Sequence, residues 1–109
     1  MSIAFKIWIN HLPRIPRLIR YSLGEKITNL FIELTELILI AGYSEKEQKS
    51  IILKKASIKL DLLKYFLQTA IELKTVDDKT LSELTVVIGE VGRQLGGWQK
   101  QIGKQTPPN

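Results

Sequence analysis

Apolar residues recur along this chain at intervals of three and four in four separate blocks, each the signature of one helical face. The first block, residues 2–14, carries Ile3, Ile7, Trp8 and Leu12. Pro13 and Pro16 follow, so this helix is short or kinked and the chain turns between the two prolines. Pro16 suits the first turn of a second helix, where its missing N–H has no partner to lose. That helix runs to about Ala41 on a stripe of Leu23, Ile27, Leu30, Phe31, Leu34, Leu37, Ile38 and Ala41. Gly42 is expected to close it in the left-handed conformation. Ser44 and Glu47 then predict a capping box opening the next helix.

The third block, about 45–74, places Leu53, Ala56, Leu60, Leu63, Leu67 and Ala70 on one face, widened by Ile52, Phe66 and Leu73. Ile51, Ile58, Leu62 and Tyr65 fall on a second apolar face. A helix with two such faces is either buried on both sides or meets another protein. Thr75 to Asp78 supplies capping residues and charge, ending this helix and starting the fourth. The fourth block, about 78–102, repeats the pattern with Leu81, Leu84, Ile88, Val91, Leu95, Trp98 and Ile102. No strand-like alternation is present. The pattern predicts an all-α fold: an up-down antiparallel four-helix bundle over residues 1–103, with a disordered tail at 104–109.

Glycines disturb this picture. Gly89, Gly92, Gly96 and Gly97 lie inside the fourth block, and each glycine in a helix interior costs about 1 kcal/mol relative to alanine. Either the helix ends early or something requires close backbone approach. A phosphate-cradling loop needs a preceding strand and a helix N-terminus, and neither is predicted here. Gly92 and Gly96 share a face, which favours helix packing between subunits, ahead of packing within the chain and of a stacking platform for bases. Trp98 falls near the same contact, and Gly97 and, on the second face of the third helix, Ile58 and Tyr65 are the further interface candidates.

Charge adds an anionic partner. Sixteen Lys and Arg against eleven Asp and Glu give a net +5, unevenly spread. Residues 1–26 hold Lys6, Arg14, Arg17, Arg20 and Lys26 against Glu25 alone, and residues 45–75 carry a net +3. Two basic zones on one small domain fit a nucleic acid. Arg14, Arg17, Arg20, Lys26, Lys55, Lys59 and Arg93 are the candidate contacts, sequence-independent and salt-sensitive. Guanidinium forks match phosphate oxygens bidentately. The opposing reading for Arg17 and Arg20 is an ion pair with Glu25 or Glu90 that pins two helices.

Other chemistry finds little footing. With no cysteine there is no disulfide or thiolate site, which fits a reducing, cytoplasmic setting. The single histidine, His11, has no second histidine for metal and is expected at a surface or interface. A helical ribonuclease would need an arginine a few residues before a histidine, and every arginine follows His11. Carboxylates are scattered, with no pair set for acid–base work. No enzyme, cofactor, metal or membrane span is expected.

Two blocks carry a resemblance. Ile15-Pro16-Arg17, followed by Arg20-Tyr21-x-Leu23-Gly24-x-Lys26-Ile27, resembles the N-terminal block of the accessory variability determinant family of diversity-generating retroelements. Glu90-Val91-Gly92-Arg93-x-Leu95-Gly96-Gly97-Trp98-x-Lys100 resembles that family's C-terminal block. Ile15 replaces a frequent phenylalanine. The resemblance implies a non-enzymatic partner of a reverse transcriptase, a basic barrel-like homopentamer binding that enzyme together with RNA or DNA. It implies support of mutagenic cDNA synthesis from a template RNA. A more distant likeness is to the four-helix proteins of ribosomal RNA intervening sequences, which implies a structural role through protein contacts and lacks the Gly-Gly-Trp element.

Overall fold

The computed structural model describes residues 1–105, with side chains to Gly103. Helices form where the apolar blocks lie: α1 (Ser2–His11), α2 (Arg17–Ile19), α3 (Glu25–Tyr43), α4 (Lys46–Glu72) and α5 (Asp78–Gln105). A 3-10 turn, Leu12–Arg14, follows α1, and a π-helical turn, Arg20–Gly24, joins α2 to α3. Residues 17–43 therefore form one continuous rod. α1 packs on α3 and α5, α3 on α4, and α4 on α5, which closes a four-helix bundle 53 Å long and about 20 Å across. No strand occurs among the described residues.

The core follows the stripes closely in the longer helices. Ile27, Leu30, Phe31 and Leu34 of α3, Leu53, Leu60 and Leu63 of α4, and Leu84, Ile88, Val91 and Leu95 of α5 are all buried. In α1 the expected Trp8 is buried and Ile7 and Leu12 are half-buried against the core, but the inward face is shared with Ala4 and His11 in place of Ile3. Ala4, Trp8 and His11 point inward, and Ile3 is exposed. Trp8 sets this rotation. Its ring stacks near Phe31, and its indole N–H donates to Thr28 Oγ1 at 2.9 Å. The Thr28 hydroxyl donates in turn to the Gly24 carbonyl at 2.8 Å. A buried indole N–H needs such a partner.

Two expected helix ends take another form. α3 continues through Gly42 to Tyr43, and no glycine among the described residues has a positive φ. Ser44 is extended, and its hydroxyl donates back to the Ile40 carbonyl at 2.7 Å, so it satisfies the end of α3 and not the start of α4. The N-cap of α4 is Glu45, without a side-chain cap bond. The capping box is absent because Ser44 is already spent on the preceding helix. At the other end of α4 the left-handed residue is Lys74, φ 60°. Its N–H bonds to Ile71 O, and the Thr75 N–H bonds to Ala70 O. That double bond pattern is a Schellman motif built without glycine.

α5 passes through all four glycines and on to Gln105, beyond the expected domain end at 103. Residues 106–109 of the expected tail lie outside the described residues. α1 has ten residues against twenty-eight in α5, so it covers only part of the bundle's length. Between α4 and α5 an apolar groove of about 330 Å³ remains, lined by Leu67, Ile71, Val76, Leu81, Leu84 and Ile88.

Candidate nucleic-acid interface

The N-terminal basic block forms one end of the bundle. Ile15 is buried and Pro16 caps α2, so the chain turns between an anchored isoleucine and a fixed proline φ. Beyond it the π turn widens the helix by one residue per turn, a feature that recurs at functional sites. Ser22 Oγ stabilises the turn by donating to Leu18 O at 2.9 Å, with Ile19 O at 3.3 Å. Gly24 eases the packing here. A Cβ at this position would lie 3.1 Å from Leu12 Cδ1, so the glycine lets the α1–α2 turn close onto the rod.

This geometry turns Ile19 and Leu23 toward the core and Arg17, Leu18 and Tyr21 outward. Leu18 is 84% exposed and Tyr21 64%. The guanidinium carbons of Arg17 and Arg20 lie 5.8 and 5.6 Å from the centre of the Tyr21 ring, within cation–π range. Among the described residues neither arginine, nor Arg14, forms an ion pair with a carboxylate. Glu90, one expected partner, pairs with Arg93 at 2.8 Å in the same helix. Arg20 Nε is shielded from solvent without an acceptor. The helix-pinning ion pair is therefore not what holds Arg17 and Arg20 in place.

The other expected contacts are dispersed. Lys59 bridges α4 to α3 through Glu33 at 2.8 Å. Lys26 lies on the side toward α4, its ammonium 5.9 Å from the Phe66 ring. Lys55 is exposed on α4, and Arg93 is held by Glu90. The structure thus brings Arg17 and Arg20 together at Tyr21, sets Arg14 in a separate concavity with Lys79 and Glu83, and leaves Lys26, Lys55, Lys59 and Arg93 along the sides of the bundle. Tyr21 was not singled out from the sequence, although the Arg-x-x-Arg-Tyr spacing holds the signal: i, i+3 and i+4 meet on one helical face.

The expected assembly residues divide as well. Ile58 and Tyr65 are exposed, with Ile51 and Leu62, along an outer face of α4. Gly96 and Gly97 have nothing within 4 Å of where a Cβ would stand, and Gly92 has only ordinary contact with Leu60 and Lys64. No close approach inside this chain calls for these glycines. Trp98 is half-buried beneath Lys49, whose ammonium lies 5.6 Å from its ring.

His11 departs most from expectation. It is 4% exposed, and its Nε2 lies 2.6 Å from the Thr75 carbonyl oxygen, tying α1 to the α4–α5 connection. Asp77 Oδ1 is 3.5 Å from its Nδ1. The hydrogen bond from the Thr80 side chain, with the Thr80 backbone N–H beside it, holds the Asp77 carboxyl below its ordinary range. Among the described residues no cluster of three or more His, Asp or Glu could hold a metal. No helix there is long and apolar enough to cross a membrane.

A family model described as bAvd-like matches residues 4–102, nearly the whole described chain and both blocks. The chain belongs to the bAvd-like family. Comparison with curated proteins and with solved structures gave no match. The bAvd-like family is one of accessory proteins, and the all-helical fold is compatible with it. Arg17, Arg20, Gly92, Gly96 and Trp98 all lie inside the matched region.

Proposed function

We propose that this bAvd-like protein is a non-catalytic accessory factor of a diversity-generating retroelement. In this reading it is a basic oligomeric scaffold that brings a reverse transcriptase and its template RNA or cDNA together in the cytoplasm. The observation that carries the proposal is that the arginines of the N-terminal basic block are unpaired. Arg14, Arg17 and Arg20 spend none of their charge on carboxylates among the described residues, and so remain available to phosphates.

Assembly rests on two exposed faces. On α3, Ile32, Glu36 and Leu39 form one outward stripe; on α4, Ile51, Lys55, Ile58 and Leu62 form another. Both are apolar, and their charges are opposite. Two different complementary patches on one molecule suit a head-to-tail contact that closes a ring, with pentamer the stoichiometry the family resemblance implies. The open glycines of α5, with Trp98, extend the surface available to a neighbour.

Co-purification with the cognate reverse transcriptase at low salt is the direct test, paired with RNA binding titrated against salt. Association together with steep salt-dependent loss of RNA binding is expected. Failure of both would leave a four-helix protein acting through protein contacts alone, as in the ribosomal intervening-sequence type.

A further inference from the structure

We infer that Tyr21 is a stacking platform for an unpaired base, so that the arginine end of the bundle prefers single-stranded nucleic acid to duplex. This rests on the reading that Arg17 and Arg20 contact phosphates, and adds to it a residue and a substrate class.

The geometry supplies each part of such a site. Tyr21 projects from the outer side of the π turn and is 64% exposed, unlike a ring recruited to the core. The Arg17 and Arg20 guanidinium carbons lie over the ring, 5.8 and 5.6 Å from its centre, so a stacked base takes the place of an exposed guanidinium, which is then beside the base's own phosphate. Leu18 beside it is more exposed still, and together with Arg17 and Ser22 they line an open concavity at the tip of the molecule. An aromatic ring with two forked cations beside it matches what a single strand offers: a base to stack and phosphates on both sides of it. A duplex keeps its bases stacked on each other and presents only phosphates and groove edges, so it gains the arginines and not the ring. An exposed Tyr, Arg and Leu together could also anchor a protein. The charge decides for nucleic acid: both cations at the ring, Arg17 and Arg20, are without a carboxylate partner among the described residues.

The test compares an unstructured oligouridylate with a blunt RNA duplex of equal length, by fluorescence anisotropy on the intact protein. Y21A should weaken single-strand binding about tenfold and leave duplex binding nearly unchanged. Y21F should retain the wild-type preference, and Y21L, apolar but without a π face, should lose it. R17Q with R20Q should weaken both ligands together. Circular dichroism on each variant establishes that the helices are intact, and Y21F serves as the folded control. An unchanged single-strand to duplex ratio in Y21A and Y21L overturns the inference while the phosphate reading stands. Loss of reverse-transcriptase capture in Y21A with that ratio unchanged overturns it too, and assigns the ring to the protein partner. If the wild-type protein binds neither ligand, the phosphate reading falls with it.

Discussion

Lys74 holds α4 closed in the left-handed conformation, φ 60°, which costs an L-residue with a Cβ about 1–2 kcal/mol. Its hydrogen bonds to the helix end are backbone bonds that any residue could make. Lys74→Gly should therefore keep the motif, remove the strain and raise stability by about 1 kcal/mol, read as a higher urea midpoint with an unchanged slope. Three residues on, Asp77 caps α5 under the influence of charge. Its carboxyl is held below the ordinary 3.8 mainly by the Thr80 side chain, so its contribution to stability is complete above that value. It is lost as the pH falls through the lower folded-state value. Asp77→Asn keeps a good capping residue without the charge. The stability difference between wild type and D77N should be constant from neutral pH down to about pH 5, and should shrink below about pH 4. Urea denaturation at several acid pH values measures it; a difference that does not change with pH would remove the carboxylate from the account.

At the scale of elements, α4 and the rod over 17–43 were legible because their faces repeat over many turns, and a long stripe admits one rotation. α1 was legible as a helix and only in part in its rotation: Ile7, Trp8 and Leu12 meet the core, and Ile3 does not. With ten residues, the isoleucines compete with Ala4 and Trp8 for the inward face, and the decision lies in a distant partner, Thr28. The π turn left no pattern either, since it is set by Ser22 back-bonding and by the space Gly24 leaves for Leu12. Helix ends were misread where a serine had two possible helices to serve. The glycines of α5 pose a sharper question. Since Gly96 and Gly97 meet nothing within the chain, Gly96→Ala and Gly97→Ala should each stabilise the isolated fold, by up to about 1 kcal/mol. If they serve a subunit contact, the same changes should lower the assembled mass in light scattering at fixed concentration. Higher thermal stability with unaltered mass would take the glycines out of the interface.

For the molecule as a whole, the basic surface separates into charges that are available and charges already engaged. Lys59 and Arg93 were candidates on composition and spacing alone, which cannot show that Glu33 and Glu90 reach them. Arg17 and Arg20 stand together because Pro16 and the π turn bring them to one side of the helix beside Tyr21. Counter-ion release then gives a quantitative expectation. Replacing Arg17 and Arg20 by glutamine should reduce the slope of log affinity against log salt by about two for a duplex, whereas Lys59→Gln should change stability more than slope. Assembly multiplies the effect. The proposed closed oligomer would present the arginine end several times, so a long RNA that reaches two copies would gain from effective concentration and a short oligonucleotide would not. Ile58→Glu, placed in the exposed α4 stripe next to Lys55, should disperse the assembly without touching the arginine end. Its short-oligonucleotide affinity should remain at the wild-type value, and its affinity for long RNA should fall at least tenfold. An equal fall for both lengths would mean that the α4 face itself binds RNA. No fall for either, with the assembly dispersed, would mean that each bundle binds alone.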